Sequence, residues 1–168
     1  ASTYGLNMAR KLSHDLSELG YNIISGLAFG IDTEATTGAL EGKGKAVAVL
    51  GNGVDYCYPS ENTPIYKQVK EKGLVISEYP GFTSPSKETF PFRNRLIAYL
   101  SRGLIVGEAT RRSGTLITVN YGLTSGIEVG CVPYHSDENS ACNALLKEGA
   151  FMIEDVDDVI AMLGDQRG

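Results

Sequence analysis

The short segment at residues 90–95 carries the side chains best suited to binding an anion. It reads Phe-Pro-Phe-Arg-Asn-Arg and lies between a proline-containing loop and the apolar run 96–100. Guanidinium groups are poor core material, and they donate hydrogen bonds in a fixed fork that matches phosphate oxygens. We therefore predict that Arg93, Asn94 and Arg95, at the start of a helix, contribute to an anion-binding site.

The charge of the chain is unevenly distributed, which supports this prediction. Residues 85–115 contain six basic and two acidic residues, although the whole chain has a formal net charge of -5. Residues 133–168 contain eight acidic and two basic residues. A positive region on an acidic protein favours one local groove for a phosphate-bearing partner over coating of nucleic acid by the whole surface.

Length and composition indicate one globular domain. The chain has 168 residues, of which 42% are hydrophobic and 21% are charged, and this is enough for one core. No apolar run is long enough for a membrane span, and no signal-peptide pattern is visible at the start. The three cysteines lack metal-ligand or disulfide-framework spacing. We therefore expect a cytoplasmic protein with no metal, no cofactor and no membrane partner.

The hydrophobic pattern predicts helices and strands in alternation. Helices are predicted over residues 5–19, 31–40, 64–72, 94–100, 115–124, 141–147 and 156–163. Strands are predicted over residues 22–25, 46–50, 74–77, 104–106 and 127–132. This alternation is typical of an α/β fold with a doubly wound, mostly parallel sheet flanked by helices. Because the chain opens on a helix, we expect a first strand upstream of Ala1.

Turns rich in glycine and small polar residues follow four of the predicted strands. They lie at residues 25–32, 51–55, 77–81 and 107–115. Ligands bind at the carboxyl ends of the strands in open α/β sheets, and glycine allows backbone N–H groups to approach an anion closely. A single such turn is usually only a tight connection, but four along one edge favour a ligand site. Neither a dinucleotide fingerprint nor a Walker-type phosphate loop is present.

Two further groups of residues extend the predicted site. The turn at residues 111–115 can bind a phosphate through its hydroxyl and N–H groups, although Ser113 or Thr115 can equally serve only to cap the next helix. Lys87 and Phe90 place an aromatic ring on a basic loop. A lone phenylalanine is usually part of a core, but a ring in this setting can stack on a nucleic-acid base.

Catalytic side chains form no evident arrangement. Asp32 has no partner fixed by sequence spacing, and an aspartate in this position more often caps a helix or ties down a loop. Glu78 and Glu108 lie at strand ends, where they are expected to accept hydrogen bonds from turn amides or to pair with arginines. We therefore predict that the protein is not an enzyme.

Six consecutive motifs resemble the signatures of the DprA/Smf family. They lie within residues 25–32, 48–62, 77–78, 90–97, 108–118 and 143–150, and their order covers nearly the whole chain. The resemblance implies an extended Rossmann-like fold. It also implies a protein that binds single-stranded DNA, protects it, loads the RecA recombinase in natural transformation, and self-associates as a homodimer.

In this family the DNA lies in a basic pocket at the carboxyl edge of the sheet. The residues here that are predicted to bind DNA are Lys87, Phe90, Arg93, Asn94, Arg95, Ser25, Gly26, Gly53, Arg112, Ser113, Gly114 and Thr115. The family also has a DNA-binding arginine after its first strand, which we expect upstream of Ala1. We expect residues 1–168 to form a single Rossmann-like domain, truncated at its N-terminus relative to the family and without a C-terminal winged-helix-like domain.

The chain departs from the family pattern at two places, and two other hypotheses remain open. Thr36 replaces the family's usual histidine, and the loop from Pro133 to Ser140 is shortened. The first alternative is a nucleotide-binding or nucleoside-monophosphate-hydrolysing enzyme, for which residues 112–115 partly match a phosphate turn. The second is a protein-interaction module that uses the acidic residues at 154–158, although such a run is usually a solvated helix face.

Overall fold

The protein is an α/β structure in which parallel strands alternate with helices. A computed structural model describes residues 1–165. The helices in this range are α1 (Thr3–Glu18), α2 (Ile31–Glu41), α3 (Thr63–Lys72), α4 (Thr89–Tyr99), α5 (Thr115–Thr124), α6 (Ala141–Lys147) and α7 (Val156–Leu163). The strands are β1 (Ile23–Ser25), β2 (Ala46–Val49), β3 (Leu74–Ile76), β4 (Gly103–Val106), β5 (Glu128–Cys131) and β6 (Phe151–Met152). A 3-10 turn at Ser60–Asn62 precedes α3.

The strands pair into two parallel sheets, with strand orders β1-β2-β3 and β4-β5-β6. The predicted α/β class, with parallel strands flanked by helices, is confirmed. The strands do not form one continuous sheet, however, because within residues 1–165 β1 pairs only with β2 and β4 pairs only with β5. A shared ladder would need β1 and β4 about 4.8 Å apart and hydrogen-bonded, and no such bonds join them.

Helix α1 shows how the sequence pattern produces the packing. Ala9, Leu12 and Leu16 recur at helical spacing, and all three are buried. The Ser2 hydroxyl caps the helix by accepting a hydrogen bond from the Gly5 N–H at 3.1 Å, which satisfies one otherwise unpaired donor. The buried face of α1 is therefore available to pack against the rest of the fold.

An apolar cluster with side chains from both halves of the chain links the two sheets. It contains Leu12 and Leu16 of α1 together with buried residues of α7, and Ile23 of β1 and Ile105 of β4 pack against it. Burial of apolar surface stabilises such a contact by about 25 cal/mol per Å². The two sheets are thus joined by packing where no backbone ladder connects them.

The start of α4 is the largest departure from the predicted elements. The helix begins at Thr89, five residues before the predicted start at residue 94. Pro91 lies in the first turn of α4, where backbone N–H groups have no acceptor within the helix. The lack of an N–H on proline therefore breaks no helical hydrogen bond, and the proline does not exclude a helix there. The segment 90–95 is therefore helical rather than a loop leading into a helix. Strand β6, only two residues long, was not predicted.

The end of the described chain is fixed to two other elements by Asp165. Arg102, before β4, donates to both carboxylate oxygens at 2.9 and 2.8 Å, and the Tyr21 hydroxyl donates to Oδ2 at 2.5 Å. The hydrogen bonds from Arg102 and Tyr21 lower the pKa of Asp165 from 3.8 to about 2. Within residues 1–165, no helix is long and apolar enough to cross a membrane.

The lowered pKa makes the Asp165 contact sensitive to acid. We expect Asp165→Asn to destabilise the protein at pH 7 and the stability difference to shrink as the pH falls from 3.8 towards 2. The reason is that the unfolded state binds a proton before the folded state does, so the contribution of the carboxylate is complete above pH 3.8 and is lost below it. Urea unfolding of both proteins at several pH values measures the difference. A difference that does not change with pH would contradict the assignment.

Candidate nucleic-acid interface

The turn after β1 is held in an unusual backbone conformation. Leu27 has a φ of 56° although it is not glycine, and its side chain is fully buried. The Asp32 carboxylate accepts hydrogen bonds from the N–H groups of Gly26 at 3.1 Å and Ala28 at 3.2 Å. Asn62 donates from Nδ2 to the Leu27 carbonyl at 2.9 Å. A leucine keeps a left-handed backbone conformation only where surrounding contacts hold it there. These hydrogen bonds therefore make the turn rigid.

Ser25, the last residue of β1, is buried beneath that turn. Its hydroxyl lies 2.9 Å from the hydroxyl of Thr36 on α2. Thr36 lies at the position where the DprA/Smf family usually has a histidine. The end of β1 therefore carries a pair of neutral hydroxyl groups instead of an imidazole. The structure therefore places Ser25 under the predicted site, where it supports the turn from within.

Arg93 lies at the centre of the site, and it is buried. Its side chain is 6% exposed. Nη1 donates to the carbonyls of Gly26 at 2.9 Å and Val49 at 2.7 Å, and Nε donates to Oδ1 of Asn94 at 3.1 Å. The guanidinium group therefore joins α4 to the ends of both β1 and β2. Burial lowers the pKa of Arg93, while the nearby charge of Asp32 raises it.

Gly26 is contacted from both sides by these charged groups. Asp32 accepts its N–H and Arg93 donates to its carbonyl. A Cβ on Gly26 would lie 2.7 Å from the guanidinium carbon of Arg93, so any side chain here would displace the arginine. Burial raises the pKa of Asp32, whereas its two backbone hydrogen bonds and the Arg93 charge lower it. The predicted role of Asp32 in tying down a loop is confirmed.

Phe90 lies on α4 rather than on a free loop. Its ring packs against the backbone of Gly51, where a Cβ would come within 2.4 Å of the ring. The Tyr58 ring stacks on Phe90 with centroids 5.5 Å apart and planes 30° apart, and the Arg93 guanidinium lies 5.5 Å from the Phe90 centroid. Phe90 is therefore half-buried between its neighbours, and Tyr58, which was not predicted as a site residue, is its outer partner.

Gly53 allows the loop after β3 to pack on the loop after β2. Its N–H donates to the Thr83 carbonyl at 2.9 Å, and the Asp55 N–H donates to the Gly81 carbonyl at 2.9 Å. A Cβ on Gly53 would lie 2.1 Å from the Pro80 carbonyl oxygen. Gly53 thus has a packing role that its place in a glycine-rich turn did not reveal.

The remaining basic groups near α4 differ in their freedom. Arg95 forms an ion pair with Glu78, as expected for a strand-end glutamate, and its guanidinium lies 3.9 Å from the centroid of the Phe92 ring. Lys87 lies on the loop before α4 and is exposed. Lys87 can therefore meet a ligand without breaking a contact, whereas Arg95 must share its charge with Glu78.

The turn before α5 is a separate part of the predicted site. Gly114 occupies the N-cap position, and the Ser113 hydroxyl accepts a hydrogen bond from the Thr115 N–H at 3.2 Å. The prediction that Ser113 or Thr115 is the N-cap residue is thus wrong, because Gly114 holds that position. Ser113 nevertheless accepts a hydrogen bond from one N–H of the first turn. Arg112 is exposed. Within the described chain, no hydrogen bond or ion pair joins this turn to Arg93.

Glu108 does not face the turn before α5 as a free catalytic carboxylate. Its Oε2 accepts hydrogen bonds from the backbone N–H of Ser2 at 2.9 Å and from the Ser2 hydroxyl at 2.8 Å. A carboxylate at the N-terminus of α1 is stabilised by the helix dipole. Residues 1–165 contain no group of three or more side chains that could hold a metal ion.

The structure thus brings only part of the predicted set together. Gly26, Phe90 and Asn94 contact the Arg93 guanidinium, whereas the side chain of Ser25 pairs with Thr36 instead. Gly53, Lys87 and Arg95 lie on the neighbouring loops and on α4, and the residues at 112–115 form the separate turn after β4. The sequence did not indicate the burial of Arg93, because segment 90–95 lacks the strong helical amphipathicity that would point one face inwards.

Comparison with known proteins identifies the family. The sequence profile of the DNA recombination-mediator protein A family matches residues 1–164. The chain belongs to this family. It is 40% identical to Protein Smf of Synechocystis sp. over 163 residues and 43% identical to DNA processing protein DprA of Streptococcus pneumoniae over 141 residues. These alignments cover 96% and 83% of the chain but only 41% and 50% of those relatives.

Solved DprA structures share the fold. The chain matches DprA from Streptococcus pneumoniae with a TM-score of 0.90 at 39% identity, over 96% of this chain and 57% of that one. It matches DprA from Helicobacter pylori, in a structure that describes a single-stranded DNA binding mode, with a TM-score of 0.89 at 28% identity, over 97% and 75%. A molybdenum cofactor carrier protein from Chlamydomonas reinhardtii, at 20% identity and a TM-score of 0.66, shares the fold alone.

The buried position of Arg93 predicts a large effect on stability. We expect Arg93→Met to lower the free energy of unfolding by about 2–4 kcal/mol, because it leaves the carbonyls of Gly26 and Val49 without a donor and removes the charge beside Asp32. Arg95→Met is the matched control. Its ion pair lies nearer the surface, so a loss below about 1 kcal/mol is expected. Urea unfolding measures both, and equal losses would contradict the central role of Arg93.

Proposed function

We propose that this domain binds single-stranded DNA across the carboxyl ends of β1, β2 and β3. The observation that carries the proposal is the Arg93 contact, which fixes two glycine-containing strand ends beside exposed basic groups. Backbone N–H groups and glycine at strand ends suit close approach of a phosphate. The similarity to the Helicobacter pylori protein with a described single-stranded DNA binding mode supports this ligand over other anions.

The predicted residues have different roles in this proposal. Lys87 and Arg95 meet the phosphates from the surface, and the turn formed by Arg112, Ser113, Gly114 and Thr115 provides a second contact further along the strand. Ser25, Gly26 and Gly53 shape the backbone that the DNA crosses. Arg93 and Asn94 act mainly by positioning this surface. Among the described residues, Nη2 of Arg93 has no protein acceptor, and it can donate to a phosphate oxygen.

The same proposal includes the wider role of the family. We propose that the protein acts in the cytoplasm as a homodimer, processes incoming DNA in natural transformation, protects the bound strand and delivers it to the RecA recombinase without chemistry of its own. The support is the match to the recombination-mediator family and to relatives named DNA processing protein DprA. No observation in the described site favours nucleotide hydrolysis, since Glu108 is bonded to Ser2.

Binding through phosphates makes affinity strongly dependent on salt. We expect Lys87→Ala combined with Arg112→Ala to weaken binding similarly for all oligonucleotide sequences. The plot of log affinity against log salt should become shallower, with the magnitude of its slope reduced by about 1.4, because each phosphate contact to a single strand contributes about 0.7. Fluorescence anisotropy with labelled oligonucleotides at several salt concentrations measures the slope.

A matched control for this experiment is Lys72→Ala. Lys72 is also exposed, but it ends α3 just before β3 and therefore lies at the opposite edge of the sheet. Its substitution should leave the slope within error of the unsubstituted protein. If the salt slope changes as much in the Lys72 variant as in the double variant, DNA binding is distributed over the surface and the proposed site is wrong.

Delivery to the recombinase has its own test. We expect the protein to shield a single strand from an exonuclease and to shorten the lag of RecA filament growth on that strand, with both effects lost in the Lys87→Ala and Arg112→Ala double variant. Nuclease digestion and RecA ATPase assays measure them, and sedimentation reports the oligomeric state. Shielding without any effect on RecA would remove the recombinase from the proposal while leaving DNA binding in place.

A further inference from the structure

Exposed aromatic rings follow all three strands of the first sheet. Phe29 comes after β1 and is 78% exposed, Tyr58 comes after β2 and is 52% exposed, and Phe82 comes after β3 and is 76% exposed. A single exposed phenylalanine needs no explanation. Here, however, at least one exposed ring follows each of three adjacent parallel strands, with Tyr56 near Tyr58 after β2. The carboxyl ends of such strands lie about 5 Å apart along one edge.

The backbone under the outer two rings is fixed. Phe29 is in the turn anchored by Asp32, and the Thr33 hydroxyl donates to the carbonyl of the preceding residue, Ala28, at 3.0 Å. Phe82 lies between Gly81 and Thr83, both of which accept hydrogen bonds from the loop after β2. The rings therefore project from rigid positions while burying little of their own surface. Such preorganisation reduces the entropic cost of binding a ligand.

The middle ring differs in one respect. Tyr58 covers one side of Phe90, whose other contacts are Gly51 and Arg93. The outward face of this stacked pair thus belongs to Tyr58. Phe90 contributes by holding Tyr58 in place.

We propose that Phe29, Tyr58 and Phe82 form a stacking surface for the unpaired bases of a single strand. This rests on the proposed function, in which basic groups beside the same edge hold the phosphates. Every base offers a flat π face, so such a surface binds with little sequence preference. Bases inside a duplex are already stacked and paired, so the surface selects single strands. The exposed cation of Lys87, on the same loop as Phe82, favours a nucleic acid over an apolar peptide as the occupant.

The experiment compares two ligands that share a backbone. One is an oligothymidylate, and the other is a fully abasic strand of the same length, which has the phosphates but no bases. Phe29→Ala and Phe82→Ala should each weaken binding of the oligothymidylate about fivefold or more, and neither should change binding of the abasic strand. Tyr99→Ala is the control, since Tyr99 is 52% exposed but ends α4 away from this edge. It should affect neither ligand.

A direct optical readout complements the affinities. The chain has no tryptophan, so Phe29→Trp and Phe82→Trp each introduce a single indole at the proposed surface. The indole fluorescence should be quenched by the oligothymidylate and left unchanged by the abasic strand. Because both native rings are more than three-quarters exposed, these substitutions should leave the thermal unfolding midpoint close to that of the original protein.

The outcomes separate this inference from the proposed function. Unchanged oligothymidylate binding in both alanine variants overturns the stacking surface alone, as does an equal loss for the two ligands. A loss of self-association in sedimentation, with DNA affinity intact, also overturns it, because the occupant is then a second copy of the chain. If the unsubstituted protein binds neither ligand at low salt, both the stacking surface and the proposed function are wrong.

Discussion

The buried guanidinium group of Arg93 is the interaction on which the rest of the site depends. A buried cation is costly unless it is hydrogen-bonded, and here two backbone carbonyls accept from Nη1 of Arg93 and one amide side chain accepts from Nε. Meeting this requirement fixes the distance of α4 from the ends of β1 and β2. It also explains why residue 26 is glycine, since a side chain there would overlap the guanidinium group.

The second constraint is the way the halves of the molecule meet. The two sheets share no backbone ladder, so their relation is set by the apolar cluster around α1 and α7, by the packing of α4 against α5 and β4, and by contacts at single residues. One of these is the Glu108 carboxylate at the end of β4, which accepts hydrogen bonds from Ser2 at the start of α1. The turn at residues 112–115 belongs to the second sheet, and its position relative to Arg93 therefore depends on side-chain packing.

Much of the fold could be predicted from the sequence, because alternating periodicities depend on local pattern. The buried strand at residues 46–49 and the glycine-rich turns at strand ends are of this kind. The start of α4 could not, because a proline in a first helical turn looks the same in sequence as a proline in a loop. The burial of Arg93 and the exposure of Phe29 and Phe82 run against the usual preferences of these residue types. Both arise from long-range contacts that no local pattern encodes.

Because the exposed aromatic rings lie at the tips of rigid turns, the residues that stabilise the turns are different from the residues that form the exposed surface. Residues that hold the turns, such as Asp32 and Asn62, are tied into several hydrogen bonds and cannot change without disturbing the fold. The rings of Phe29 and Phe82 bury little of their surface and can be exchanged at almost no structural cost. Substitutions at positions 29 and 82 therefore change the exposed aromatic surface at this edge of the sheet while the turns beneath keep their hydrogen bonds.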